Sequence, residues 1–282
     1  MQFAIDLPPF GPFSDPHLVA QLAQEVEEVG WDGFFLWDHL NYKLDGSKAP
    51  VEIADPWILL AAMALRTTRL KLGPMVTPLP RRRPWKLARE TVTLDHLCGG
   101  RLVLGIGLGS DYDGEYHDFG EPTDARIHGE MLDEGLAILT RLLSGEEVSY
   151  QGQQYQLSRV QFLPTPLQQP RIPIWVAGIW PHRKPFRRAA QFDGVYPQQR
   201  GRPLEPEDLR EILAFIQTQR TRTTPFEALA FGRTSGKDLA ADAAHVASFA
   251  QAGATWWLEH FAPHQTVEQV RQRIQQGPPR IS

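Results

Sequence analysis

The sequence predicts an α/β protein, a (β/α)8 TIM barrel formed by residues 1–282 as one domain, and three observations carry that expectation. Short apolar segments with strand character alternate with amphipathic helical segments along the whole chain, the rhythm of parallel strands joined by crossover helices. The units number eight, each strand followed by a helix. With 282 residues, 42% of them apolar, the chain can fill the core that one such barrel needs. An open doubly wound sheet is the alternative architecture.

The first strand is expected over Phe3–Leu7 and the first helix after Ser14-Asp15-Pro16, where a capping carboxylate precedes a proline suited to the opening turn. Gly30 ends that helix. Strand two follows at Gly33–Trp37, and Asp55-Pro56 opens a helix with Ile58, Leu59, Ala62 and Leu65 on one side. Strand three covers Leu70–Val76, a helix runs from Pro84 to Leu97, Gly99-Gly100 breaks it, and strand four is Arg101–Ile106. The helix over Asp124–Leu143 carries Met131, Leu132, Leu136, Leu139 and Leu143 at helical spacing. Residues 146–158, with Gly152 at their centre, predict a small β-hairpin inserted beside the barrel. The stretch from Pro164 to Pro173 reads as an extended connector. Strand five is Ile172–Ala177, then a helix over His182–Gln191, strand six at Gly194–Tyr196 and a helix over Pro206–Arg220. Strand seven is Ala228–Phe231, followed by a helix over Asp238–Gln251, strand eight at Ala254–Leu258 and a closing helix over Thr266–Gln275.

A formal charge of −4 and a pI near 6.1 give no pull toward nucleic acid or anionic membrane, so neither partner is expected. Cys98 is the single cysteine, which excludes an internal disulfide and a thiolate cluster and suits a reducing, cytoplasmic location. The N-terminus lacks a secretory pattern, and no apolar run reaches the ~18 residues of a membrane span. HExxH and HxH are missing among the nine histidines, so no metal is expected, and without GxSxG a serine hydrolase has no support.

Catalytic groups of such barrels sit on the loops after the strands. There Asp38-His39 is the sharpest feature, a carboxylate and an imidazole able to bind a ring heteroatom and move a proton near neutral pH. The competing reading is a strand-end histidine that satisfies a loop carbonyl. Gly105-Ile106-Gly107-Leu108-Gly109-Ser110 has the wrong spacing for a dinucleotide loop, and the following Asp111, Asp113, Glu115 and Asp118 would repel a pyrophosphate. Its glycines suit close approach to a flat ring, or a plain tight turn. The acidic run lacks the glycine and glutamate of a calcium loop and reads as a solvated rim. Arg81-Arg82-Arg83 is a candidate anion clamp or a solvated run. Trp37, Trp180, Trp256 and Trp257 lie near strand ends, where a flat cofactor could stack, though alternation turns one of the last pair into the core.

Gly30-Trp31-Asp32-Gly33, Trp37-Asp38-His39, Leu72-Gly73-Pro74-Met75-Val76-Thr77-Pro78 and Thr93-Leu94-Asp95-His96-Leu97-Cys98-Gly99-Gly100-Arg101 occur in that order. Gly105-Ile106-Gly107, Glu115-Tyr116 with Phe119-Gly120, and Pro173-Ile174-Trp175-Val176-Ala177-Gly178 follow. In this order and spacing the chain resembles, over nearly its whole length, the luciferase-like flavin-dependent oxidoreductases. The resemblance implies FMN or the deazaflavin coenzyme F420 at the C-terminal mouth, against a non-prolyl cis peptide near Met75-Val76. It implies cofactor contacts at Asp38, Met75, Val76, Thr77, Gly107 and Ala177, and a cofactor phosphate near Gly178, Ile179 and Trp180. His39 is then the acid/base, with Asp38 orienting it or touching the ring, and Phe10, Trp37, Arg81, Ser110 and Trp257 form a substrate-facing rim. Leu108 stands where luciferase has a phosphate-binding arginine, and Ser110 where a sugar-phosphate dehydrogenase branch has a catalytic glutamate, so neither activity is carried over.

With FMN the resemblance implies a two-component monooxygenase fed by a separate flavin reductase; with F420, a dehydrogenase or reductase acting by hydride transfer. A homodimer acting on a small-molecule substrate is expected on the same ground. Two rival readings stand beside it. One is a nonflavin barrel lyase or isomerase using Asp38, His39 and Glu259, with a phosphate near Gly232-Arg233. The other is a noncatalytic partner subunit.

Overall fold

The computed structural model describes residues 1–43, 49–279 and 281. Among them, one sheet of nine parallel strands wraps around a filled interior. In chain order the strands are β1 (Gln2–Leu7), β2 (Gly33–Leu36), β3 (Lys71–Pro74), β4 (Thr77–Pro78) and β5 (Leu104–Gly107). A separate antiparallel hairpin follows, β6 (Glu147–Gln151) and β7 (Gln156–Gln161), then β8 (Ile174–Trp180), β9 (Gly194–Gln199), β10 (Glu227–Gly232) and β11 (Trp256–His260). The helices are α1 (Pro16–Glu28), α2 (Pro56–Arg66), α3 (Pro84–Leu97), α4 (Ala125–Leu142), α5 (Arg183–Ala189), α6 (Pro206–Gln219), α7 (Leu239–Gln251) and α8 (Val267–Gln275).

Short local signals set the helix starts. Asp15, Asp55 and Asp124 cap α1, α2 and α4 through side-chain bonds to backbone N–H groups, and prolines occupy the first turns of α1, α2, α3 and α6. Thr266 and Gln269 form a reciprocal capping box on α8.

The expected third strand is broken in two, and the break organises the barrel. β3 pairs with β2 from Gly33↔Lys71 to Leu36↔Pro74, whereas β4 pairs with β5 at Thr77↔Ile106 and Pro78↔Gly107. Between them the Met75-Val76 peptide is cis. Below the break, Leu72 N–H donates to Arg101 O at 3.1 Å and Val103 N–H to Leu72 O at 2.8 Å, which closes the cylinder. Counted this way, β3 and β4 are one stave and the barrel has its expected eight. The break needs β5 to be glycine-rich. A Cβ at Gly105 would fall 2.2 Å from Pro74 O, and one at Gly107 2.8 Å from Val76 Cγ2.

Alternation along the strands divides the core. Ala4, Phe35, Met75, Val103, Trp175, Tyr196, Leu229, Trp256 and Leu258 fill the interior. Ile5, Leu7, Phe34, Leu36, Ile106 and Val176 face the helices. At the bottom, all five N–H groups of buried Arg101 are used. They reach Cys98 O, Leu70 O, Thr67 Oγ1, Ala64 O and Thr67 O at 2.6 to 3.1 Å.

Several expected boundaries move; strand four is Leu104–Gly107 and strand six runs on to Gln199. Strand five starts later and runs on through Gly178, Ile179 and Trp180, because these three continue the ladder with β9 as far as Trp180↔Gln199. Strand eight shifts from Ala254–Leu258 to Trp256–His260, paired with β1 from Gln2↔Trp256 to Asp6↔His260.

Candidate active site at the barrel mouth

The C-terminal mouth has an apolar floor and a polar rim. Val76, Ala177 and Phe231, partly exposed, rest on the interior cluster and come from three different staves. Beside them Gly107 keeps the wall flat, since its missing Cβ would sit 3.4 Å from that of Ala177. Phe10, Trp37, His39 and Tyr42 gather on one side, with Phe10 ring centroids 5.9 Å from Trp37 and 5.7 Å from His39.

His39 is three-quarters buried at its side chain, and its Nδ1 lies 3.0 Å from Glu115 Oε2. The other oxygen of Glu115 accepts from Leu40 N–H at 2.6 Å and from Arg81 Nη1 at 2.6 Å. Burial alone would push the Glu115 carboxyl up, but the His39 contact, the Arg81 charge and the Leu40 N–H together hold it below the usual glutamate range. An ionised carboxylate only accepts, so it fixes the proton on Nδ1 of His39 and leaves Nε2 as the exchangeable site.

Asp38 does not orient His39. Its carboxylate, almost wholly buried, accepts from Thr77 Oγ1 at 2.8 Å, Arg82 Nη2 at 2.7 Å and Arg81 Nη2 at 3.4 Å. Arg81 also donates to the Asp38 carbonyl at 2.8 Å. Asp38 and Thr77 therefore bind β2 to β4 where no backbone ladder joins them. Three corrections follow. Glu115, not Asp38, holds His39. Arg81 clamps two carboxylates of its own chain and is not free for an outside anion. The acidic loop is not simply a solvated rim, because Glu115 and Asp113 are buried within it.

A second carboxylate–imidazole pair lies across Trp37. Asp6, fully buried on the inner face of β1, accepts from Trp37 Nε1 at 3.1 Å and lies 2.9 Å from Nδ1 of His260. The Trp37 ring stands between the two imidazoles, with centroids 5.9 Å from His39 and 5.2 Å from His260.

The remaining expected positions separate into those at the mouth and those elsewhere. Met75 and Thr77 are buried under the bulge, while Val76, Gly107, Ala177 and half-buried Ile179 face the mouth. Gly178 and Trp180 do not: a Cβ on Gly178 would meet Pro185 and Phe186, and the Trp180 ring packs outward on Phe186 under the Arg183 guanidinium. Alternation within a strand longer than expected turns them away. Trp257 is likewise no rim residue. It is fully buried on the outer side of β11 against Phe249 and His245, its Nε1 donating to Glu259 at 3.2 Å. Ser110 is exposed, its hydroxyl accepting from Tyr112 N–H at 3.2 Å. Asp6, Glu115 and His260 were not singled out as site residues; a charged residue facing inward on β1 was the available signal for Asp6.

The described residues contain no group of three or more His, Cys, Asp or Glu able to hold a metal ion, and no helix long and apolar enough to cross a membrane.

Comparisons agree with this geometry. The F420-dependent tetrahydromethanopterin reductase of Methanopyrus kandleri superposes with a TM-score of 0.77 at 16% identity, over 98% of this chain and 96% of the other. The oxygenating constituent of 3,6-diketocamphane monooxygenase from Pseudomonas putida, a type II Baeyer-Villiger monooxygenase solved with FMN, gives 0.68 at 20% identity, over 83% and 67%. At such identities these likenesses establish the fold. In sequence, the chain is 32% identical to an F420-dependent glucose-6-phosphate dehydrogenase of Nakamurella multipartita, over 59% of this chain and 48% of that one. The chain spans about half the length of the first curated relatives it matches, 43% and 48%. The family model for luciferase-like monooxygenases matches residues 6–247, from the buried Asp6 of β1 into α7. That match covers most of the chain and shows that it belongs to the luciferase-like monooxygenase family.

Proposed function

We propose that this chain is an oxidoreductase that works on a small molecule with FMN or F420 bound flat on the mouth, and that His39 moves the proton. The observation that carries the reading is the contiguous face of Val76, Gly107, Ala177 and Phe231 next to a carboxylate-held imidazole. A planar ring system needs an apolar floor that no side chain interrupts, and the missing Cβ at Gly107 provides it. Bound there, the ring system would supply the redox chemistry. The chain's own residues do the rest. Val76, Ala177 and Ile179 seat the ring and exclude water from one face, Phe10 and Trp37 wall the rim, and Glu115 fixes the tautomer of His39. Nε2 of His39 then accepts or returns a proton at the substrate or ring edge. Relatives with both cofactors, such as the F420-dependent dehydrogenase and the FMN-bound monooxygenase, support the pairing.

Titration of the purified protein with FMN and separately with F420, followed by absorbance and fluorescence, tests this directly. Saturable binding of FMN assigns a monooxygenase that requires a separate reductase, and binding of F420 a hydride-transferring dehydrogenase or reductase. Failure of both sinks the proposal.

A further inference from the structure

A cleft of about 170 Å³ lies beside the mouth, between the loop after β10 and the loop and helix after β11. Its walls include Arg233, Lys237, His260, Gln269 and Arg273. One water needs roughly 10 to 15 Å³, so the cleft has room for a hydrated oxyanion. We propose that it binds the phosphate group of a small phosphorylated molecule.

The lining offers donors and positive charge in excess. Arg233 and Lys237 are exposed, and among the described residues neither side chain makes a hydrogen bond or an ion pair. The one carboxylate in the wall, Glu259, is already engaged. It accepts from Thr234 N–H and hydroxyl at 2.7 Å each, from Trp257 Nε1 at 3.2 Å and from Arg273 Nη2 at 3.3 Å. Asp242, in the first turn of α7, is held by the N–H and hydroxyl of Ser235 and by Gly236 N–H. The carbonyl oxygens of the Gln265 and Gln269 amides accept from Ala262 N–H and Thr266 N–H at 2.6 and 2.9 Å, and among the described residues their NH2 groups donate no hydrogen bond and are available to a ligand. Unpaired guanidinium and ammonium groups with amide donors around them suit a tetrahedral dianion.

The position fits as well. β10 and β11 are the seventh and eighth staves, after which β/α barrels often hold phosphate. The His260 ring lines the cleft and also packs against Trp37 at 5.2 Å, so cleft and mouth share a wall. A molecule with its phosphate in the cleft can lay its body over the mouth. The inference does not rest on the flavin reading.

Isothermal titration calorimetry of the full chain with inorganic phosphate at low salt tests the proposal, alongside the double variant Arg233→Gln/Lys237→Gln and, separately, Gln269→Glu. The second change keeps the acceptor that caps Thr266 and replaces a donor with a repelling charge. Wild type should show saturable binding, weakened about tenfold or more in both variants at unchanged melting temperature. No saturable binding by wild type, or equal binding by wild type and variants, overturns the proposal. Parallel FMN and riboflavin titrations identify the source of the phosphate. Loss of FMN but not riboflavin affinity in the double variant assigns it to the cofactor, and unchanged FMN affinity assigns it to the substrate. Phosphate binding without affinity for either FMN or F420 would uphold the cleft while sinking the redox reading.

Discussion

Nδ1 of His39 lies 3.0 Å from Oε2 of Glu115, a residue 76 positions later that the loop after β5 folds back across the mouth. His39→Gln should therefore lower turnover about 10²- to 10⁴-fold while cofactor affinity moves by only a few fold. Glu115→Gln keeps the shape but loses the charge and one of the two accepting oxygens, so a smaller loss, about tenfold, is expected in kcat with KM little changed. Steady-state kinetics on both variants check this. Equal activity of His39→Gln and wild type would remove His39 from the chemistry.

The same carboxylate makes stability depend on acid. Glu115 is held below its ordinary value of 4.5, so the stability it contributes is fully present above that value and is lost as pH falls through the lower folded-state value. In urea melts, the gap between wild type and Glu115→Gln should be constant near neutrality and close as pH drops below 4.5. A gap independent of pH would show that the network contributes through shape alone.

At the opposite end of the barrel, Arg101 satisfies four backbone carbonyls and one hydroxyl from five donors. Arg101→Met should cost roughly 3 kcal/mol or more, because buried acceptors are left without partners. Arg101→Lys, with three donors on a flexible stem, should recover only part of it. Equilibrium denaturation measures both, and activity per folded molecule should stay unchanged.

The two β5 glycines should respond differently to alanine. A Cβ at Gly105 would meet backbone, 2.2 Å from Pro74 O, whereas one at Gly107 would meet the Val76 side chain at 2.8 Å. Gly105→Ala is expected to prevent proper closure of the barrel and to express poorly. Gly107→Ala should fold with a modestly lower melting temperature and bind the ring system about tenfold more weakly. If Gly107→Ala binds as tightly as wild type, the flat face is not where the ring lies.

How far the sequence could be read follows from which interactions are local. Asp15-Pro16 and Asp55-Pro56 announced their helices because cap and first turn are adjacent in the chain. The eight staves were countable because apolar runs alternate with amphipathic ones. Trp256 and Trp257 could not be told apart, since orientation depends on register with β1, a partner more than 250 residues away in the case of Gln2↔Trp256. Gly178 after Ala177 reads as a strand end, and only pairing with β9 carries the strand on through Trp180. Glu115 sat in an acidic stretch with no periodicity, and its burial depends on His39 and Arg81 from two other loops. Asp6 was the missed opportunity: alternation over Phe3–Leu7 already put a carboxylate on the same face as Ala4.

The shift of the third stave from β2 to β5 leaves a slit in the upper wall, laced by the Asp38 carboxylate to Thr77, Arg81 and Arg82 rather than by main-chain bonds. Lacing through one carboxylate fails with the loss of that single charge, while the ladder elsewhere is spread over many main-chain bonds. The barrel can thus breathe along this one line, beside the bulge, without loosening its other staves. Hydrogen exchange at the amides of Val76 and Thr77 should quicken in Asp38→Asn while amides of β10 and β11 keep their protection. Uniform quickening around the ring would mean that the slit is no softer than the rest.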